Sequence, residues 1–341
     1  MKRKNIILNA IILLIAFKGL SASAQESDTA RVRFLFYNVE NLFDTRDDSI
    51  YDDNEFLPAG SRHWDKSRYN TKLNSLYKVI IASGGWEPPV LAGFCEVENS
   101  RVLRDLVNDT WLSKYKYGVV TSGSRDPRGI RTGIIYRKDI LHLLYLRSID
   151  PSMMAGNART RMVFYTKWKI GSDTLHLFLN HWPSRRRGIL AEEKTRSGIA
   201  SIIISITDSL YRVSYGKAKI IIAGDFNCTP ADELIKAMTS RLVQGKNCLS
   251  NLSEKQCRSG VGSYKFQGTW EMIDQVIVSD GLLAASRGLR TSPEFCSVFS
   301  PEFLLEKDPA YPGNTPKPTY RGVKYIGGFS DHLPVILDLI R

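Results

Sequence analysis

At 341 residues, 43% of them hydrophobic and 10% aromatic, the chain carries enough apolar surface for a full-sized core, which excludes a disordered segment, a collagen-like fibre and a small disulfide scaffold. The formal charge is +12; Lys2, Arg3, Lys4 and Lys18 supply four of those charges ahead of the first acid, Glu26, so residues 25–341 keep an excess of +8. That excess favours encounter with polyanions such as nucleic acid or an anionic lipid surface.

In chain order, the first feature is a predicted export signal over residues 1–24. Lys2, Arg3 and Lys4 precede an apolar run from Ile6 to Phe17, and Ala22-Ser23-Ala24 offers small residues before Gln25. The run is well short of the ~20 residues that a membrane span needs. The expectation is an exported protein, periplasmic or extracellular, with residues 25–341 as one monomeric domain, since no linker divides them.

The next elements alternate between buried strands and amphipathic helices. Val32–Tyr37 is predicted as a strand and is followed by Asn38. Asp44–Tyr69, polar and rich in turn formers, reads as a long surface loop, and Ser67–Ala82 as a helix. Val90–Cys95 is a strand that hands over to Glu96, and Ser100–Asn108 is a helix. Gly133–Tyr136 is a short strand, after which Arg161–Trp168 and Thr174–Leu179 are successive strands, the second leading into Asn180 and His181. Glu192–Tyr211 is a helix; Ile220–Ala223 is a strand that runs into Gly224-Asp225-Phe226-Asn227; Ala231–Met238 is a helix. Arg241–Gln267 and Thr291–Val323 read as loops, separated by the Ile273–Val278 strand, which holds Asp274. Asp331 and His332 stand before a last strand, Leu333–Leu339. Helical connections mixed with directly successive strands fit an α/β fold of two sheets packed face to face with helices outside.

Five cysteines (Cys95, Cys228, Cys248, Cys257 and Cys296) have no zinc spacing. Cys95 and Cys228 end apolar runs, as buried thiols do, and only Cys248 and Cys257 lie close enough in sequence to suggest a bridge.

So many acids, amides and imidazoles beside strand ends predict one polar cleft on an apolar scaffold. Such a cleft can hold a divalent cation, a base for a water molecule and polar groups that stabilise developing charge. Glu96 is a candidate ligand for Mg²⁺, with Mn²⁺ as a substitute, because hard oxygen donors suit such ions. His332 is the candidate base and Asp274 its partner, which would fix the tautomer. Asp225 and Asn227 are two apart, so an extended backbone would put both on one face with Phe226 in the core.

Six segments carry a family resemblance: Phe36-Tyr37-Asn38-Val39-Glu40-Asn41, Gly93-Phe94-Cys95-Glu96-Val97-Glu98, Asn180-His181-Trp182-Pro183, Gly224-Asp225-Phe226-Asn227, Ile273-Asp274-Gln275-Val276 and Ser330-Asp331-His332-Leu333-Pro334. In this order they resemble the endonuclease/exonuclease/phosphatase superfamily, which includes deoxyribonuclease-I-like nucleases and bacterial sphingomyelinases. The resemblance implies a four-layer α/β/β/α sandwich and metal-dependent phosphodiesterase activity, most simply that of a nuclease. It implies Glu96 as metal ligand, Asp331 as a metal or second-site carboxylate, and Asn38 and Asn227 at the phosphate. Asp225 would place the nucleophile or a second cation, and His181 would stabilise or protonate the leaving group. The family's deoxyribonuclease-like branch supports that histidine with a glutamate that is missing near Ile130, where Asp126 is the nearest acid.

Arg185 and Arg186, just beyond His181, are candidate phosphate contacts, as are Arg125, Arg128 and Arg131 before the Gly133 strand. Trp64 and Trp182 read as core residues. A sphingomyelinase-like phospholipid phosphodiesterase or another phosphoesterase is the alternative, and a non-catalytic binding module on the same fold is the alternative of another class.

Overall fold

Alternation along the first strand decides the layering. Phe34 and Phe36 pack into one apolar layer and Leu35 and Tyr37 into another, because successive side chains of a strand point to opposite faces. The computed structural model describes residues 31–85, 87–152, 154, 160–184, 189–243 and 245–341, with the backbone alone at 189–192. The expected export signal lies outside the described residues.

Two six-stranded mixed sheets are built from β1 (Arg31–Leu42), β2 (Leu91–Val97), β3 (Tyr117–Thr121), β4 (Arg131–Arg137), β5 (His142–Ile149), β6 (Val163–Ile170), β7 (Asp173–His181), β8 (Lys219–Asp225), β9 (Leu249–Asn251), β10 (Asp274–Ser279), β11 (Cys296–Val298) and β12 (Val335–Ile340). The first sheet has the order β11-β12-β1-β2-β4-β3 and the second β9-β10-β8-β7-β6-β5. Only β1 with β2 and β7 with β8 run parallel; the remaining neighbours are antiparallel.

Phe34, Phe36, Leu91 and Leu337 of the first sheet meet Leu177, Leu179, Ile221 and Val276 of the second in a shared core. On the far face of the first sheet, α1 (Lys66–Gly84) buries Leu73, Leu76 and Ile80 and α2 (Ser100–Asn108) buries Leu103 and Leu106. On the far face of the second, α3 (Ile189–Val213) contributes Ile199 and Ile203 and α4 (Glu233–Thr239) contributes Ile235 and Met238. The four layers are thus α/β/β/α, as expected. No helix among the described residues is long and apolar enough to cross a membrane.

Three expected loops are more structured than composition suggested. The first is anchored by Phe56 and Trp64, both buried; Phe56 stacks on Phe43 at 4.3 Å, and Trp64 Nε1 donates to the Phe43 carbonyl at 2.9 Å. The other two carry β9 and β11, each three residues long. So short an edge strand shows too few alternations to be read locally, and its pairing with β10 or β12 defines it. All five cysteines are free, so Cys248 and Cys257 form no bridge.

The parallel β7–β8 contact holds Gly224 against the Asn180 carbonyl oxygen, with which any Cβ would collide. Both partners are backbone and have little room to yield. Gly224→Ala is expected to destabilise the fold by about 1–3 kcal/mol, the cost typical of overpacking. A urea midpoint equal to that of the wild type would contradict this.

Candidate active site

Strand register in the second sheet sets the first half of the site. His181 pairs with Asp225 across β7 and β8, and Asp225 pairs with Asp274 across β8 and β10, so three functional side chains lie side by side at one sheet end. All three are buried.

The first sheet supplies the opposite wall. Asn38 on β1 pairs with Cys95 on β2, one residue before Glu96, and the register of both strands then breaks. Glu40, Asn41 and Glu96 adopt left-handed backbone, with φ of 49°, 57° and 61°. Such conformations are strained for residues with a Cβ and gather at functional sites. Here they turn side chains at the strand ends into the cleft. The Asn41 N–H donates to Glu96 Oε2 at 3.0 Å, whereas Oε1 lies 3.8 Å from His181 Nε2.

The segment before β12 closes the ring. Ser330 Oγ donates to the Asn38 carbonyl at 2.7 Å and accepts the His332 N–H at 3.1 Å, tying this turn to β1. His332 Nδ1 stands 2.6 Å from Asp274 Oδ2. Its Nε2 is 4.0 Å from Asp225 Oδ2 and 3.9 Å from Asp331 Oδ1, and the Tyr264 ring covers it at 4.8 Å between centroids. Asn38 Nδ2 donates to Asp225 Oδ2 at 3.1 Å. His181, Asp225, Tyr264, Asp331 and His332 line a cleft of about 920 Å³ together with Glu96, Asn227, Arg128 and Arg161, and Asn38 and Asp274 stand behind this lining, bonded to Asp225 and His332.

The electrostatics follow from burial and crowding. Burial opposes charge on His332, but the carboxylates of Asp274, Asp331 and Asp225 outweigh it and raise its pKa well above the usual imidazole value. Burial and the Asp274 carboxylate push Asp225 upward, against the pull of His332. His181 goes the other way: burial, then the Arg161 and Arg128 charges, hold it well below its ordinary value. Glu40 is raised by burial and by Asp331, while Lys72, its buried neighbour in charge, is lowered by burial.

The residues present fit a hard divalent ion. Among the described residues five carboxylates (Glu40, Glu96, Asp225, Glu271 and Asp331) line the cleft beside three arginines, one oxygen of Glu96 is not tied to backbone, and the Asn41 Oδ1 atom is buried without a partner. Asp225, Asp274 and His332 also bring one ligand atom each to within 4.8 Å of one another. In that trio the short Asp274–His332 contact already occupies Nδ1.

The structure thus brings Asn38, Glu96, His181, Asp225, Asn227, Asp274, Asp331 and His332 to one cleft. Arg185 and Arg186 lie outside the described residues. The extended Asp225–Asn227 geometry is corrected: β8 ends at Asp225, Asn227 has φ 50°, and its N–H donates to Asp225 Oδ1 at 2.9 Å, so a tight turn brings both to the cleft. Phe226 is in the core, as are Trp64 and Trp182. Of the three arginines before Gly133, Arg128 lines the cleft, Arg125 pairs with Asp150, and Arg131, the first residue of β4, lies over Tyr51.

Sequence reasoning missed three residues. Glu40 accepts the Thr319 and Tyr320 N–H groups, and the wholly buried Lys72 donates to Thr319 Oγ1 and to the Phe329 carbonyl. Together they pin the 319–329 strap beside the site. A lysine within the apolar stripe of α1, next to Leu73, was the available signal for Lys72. Arg161, which contacts His181, had none, because its place depends on the bridge it makes with Ser124.

A model of the "Endonuclease/Exonuclease/phosphatase family" matches residues 33–341. No curated protein matches the chain. Among solved structures, the chain is similar to Bacteroides thetaiotaomicron VPI-5482 mannosyl-6-phosphatase Bt3783 (TM-score 0.56, 16% identity, covering 91% of this chain and 100% of that one). It is similar also to D. rerio TDP2 complexed with single strand DNA product (TM-score 0.54, 12% identity, 91% and 99%) and to the human Nocturnin catalytic domain with bound sulfate anion (TM-score 0.53, 14% identity, 91% and 95%). At such identities the likeness is one of fold. With the family match over nearly all of the described residues, it establishes that the chain belongs to the endonuclease/exonuclease/phosphatase family, as a hydrolase of phosphoesters.

Proposed function

We propose that the chain is an exported, divalent-metal-dependent phosphodiesterase that hydrolyses nucleic acid. The observation that carries the reading is the 2.6 Å Asp274–His332 pair standing beside Asp225, Asn38 and a Glu96 carboxylate whose second oxygen is left for a ligand.

In its neutral form, which its raised pKa places on the more alkaline side of the usual imidazole range, His332 accepts the proton of the attacking water at Nε2, the nitrogen that Asp274 leaves over, and Asp274 holds the ring and stabilises its charged form. Asp225, fixed by Asn38 and by the Asn227 N–H, orients that water. The amides of Asn38 and Asn227 contact the phosphate. Glu96, with Asp331 on the more open side, would hold Mg²⁺ or Mn²⁺. When bound, the ion draws charge from the phosphate oxygens.

The nucleic-acid preference rests on the +8 excess of residues 25–341, on Arg62, Arg128 and Arg161 along the cleft, and on the fold shared with a TDP2 complexed with single strand DNA product. The test is a panel of bis(p-nitrophenyl) phosphate, single- and double-stranded DNA, RNA, sphingomyelin and a hexose 6-phosphate, each with Mg²⁺ or Mn²⁺ and again with EDTA. Metal-dependent cleavage of the diester and of nucleic acid is expected. Turnover of the sugar monoester alone would replace the nuclease with a phosphatase, turnover of sphingomyelin alone with a phospholipase, and no turnover of any would defeat the enzyme reading.

A further inference from the structure

Between the Asp126 carboxylate and the His181 imidazole stands an arginine. Arg161 Nη1 donates to Asp126 Oδ2 at 3.2 Å, and Nη2 donates to His181 Nε2 at 2.6 Å and to the Trp182 carbonyl at 3.3 Å. The other Asp126 oxygen accepts the Arg128 N–H at 3.0 Å and its Nε at 3.4 Å. Asp126 is 4% exposed, and both arginines line the cleft.

A guanidinium has donors only and keeps its charge at any working pH. Its contact with Nε2 therefore makes that nitrogen an acceptor, so in this arrangement His181 holds no proton there to give to a leaving group. What this wall presents is a fixed positive charge, 11% exposed at its side chain and held at three points. Its neighbour His181 Nε2 lies 3.7 Å from Asp225 and 3.8 Å from Glu96, so the charge borders the reaction centre itself. Nε of Arg161 has no partner among the described residues, and neither Asp126, His181 nor Trp182 uses the second Nη1 hydrogen.

We propose that Arg161 binds the departing oxygen of the phosphoester as a catalytic residue, supplying by charge what an acid supplies by proton transfer, and that Asp126 is the positioning residue that aims its fork. This rests on the phosphoesterase reading above. Water adds to phosphorus and its proton passes to His332 Nε2. The bond from phosphorus to the leaving oxygen breaks with its electron pair on oxygen; the resulting alkoxide is held by guanidinium N–H groups and takes its proton from solvent. Charge stabilisation of this kind matters in proportion to the charge that develops on the oxygen.

The test is therefore a leaving-group series. Arg161→Ala is expected to lower kcat by ~10²-fold or more on an alkyl ester, the scale of a lost oxyanion donor. On the matching p-nitrophenyl ester, whose leaving group needs little help, the loss should stay within about 10-fold. Arg161→Lys keeps the charge without the fork and is expected to fall between the two. Added guanidinium ion should restore part of the alkyl-ester rate to Arg161→Ala. Asp126→Asn should lower kcat on alkyl esters with KM little changed. Equal losses on aryl and alkyl esters, with no guanidinium rescue, would overturn the assignment. If the wild type turns over no phosphoester, the enzyme reading has failed and the assignment of Arg161 falls with it; if the wild type is active and Arg161→Ala keeps its rate on alkyl esters, the assignment of Arg161 alone is overturned.

Discussion

His332→Ala is expected to lower kcat by at least ~10²-fold without unfolding the protein. The physical ground is the pairing of a buried imidazole with a buried carboxylate across 2.6 Å, which leaves the other ring nitrogen facing Asp225 and Asp331. A positioned base is worth 10²–10⁴-fold in general, and a water molecule in the space left by the ring lacks both its basicity and its placement. Asp274→Asn isolates the partner's share. The amide is nearly the same size, but it no longer offers a negative charge to the imidazole, so kcat should fall while KM stays close to wild type. Circular dichroism and thermal melting of both variants check that the fold survives. Near-wild-type turnover by His332→Ala would remove it from the reaction.

The second large effect is expected at Glu96. Its backbone is held at φ 61° and one carboxylate oxygen is tied to the Asn41 N–H, so the free oxygen is aimed by the fold and not by its own rotamer. Glu96→Gln keeps the shape and removes the charge. We expect Mg²⁺ or Mn²⁺ affinity, read by calorimetry, to weaken by at least ~10-fold, and kcat at fixed metal to fall by at least ~10²-fold, with part of the activity recovered at high metal concentration. Metal affinity equal to that of the wild type would move the ion away from Glu96.

Export and nucleic-acid preference are tied to different parts of the chain. The first rests on residues 1–24 and is checked by whether the mature protein begins at Gln25; the second rests on the basic excess and is checked by salt dependence, since phosphate contacts weaken steeply as salt displaces them.

The layers, most of the strands and the residues at their ends were legible locally, because a β-strand alternates its faces whatever its neighbours do. Phe34 to Tyr37 therefore announce a sheet with apolar layers on both sides, and the polar residues that interrupt such runs mark the ends of its apolar strands. Asn38, Glu96, His181, Asp225, Asp274 and His332 were found in this way, helped by the order of their motifs. Tertiary structure alone decided the rest. The three-residue edge strands β9 and β11 exist because a longer strand pairs with them. Asn227 reaches the cleft through a left-handed turn that spacing cannot reveal. Lys72 is tolerated in an apolar stripe because Thr319 and the Phe329 carbonyl take its hydrogens. Arg161 comes to stand between Asp126 and His181 only when distant segments are folded together, since a charge is positioned by partners that burial selects and not by its neighbours along the chain.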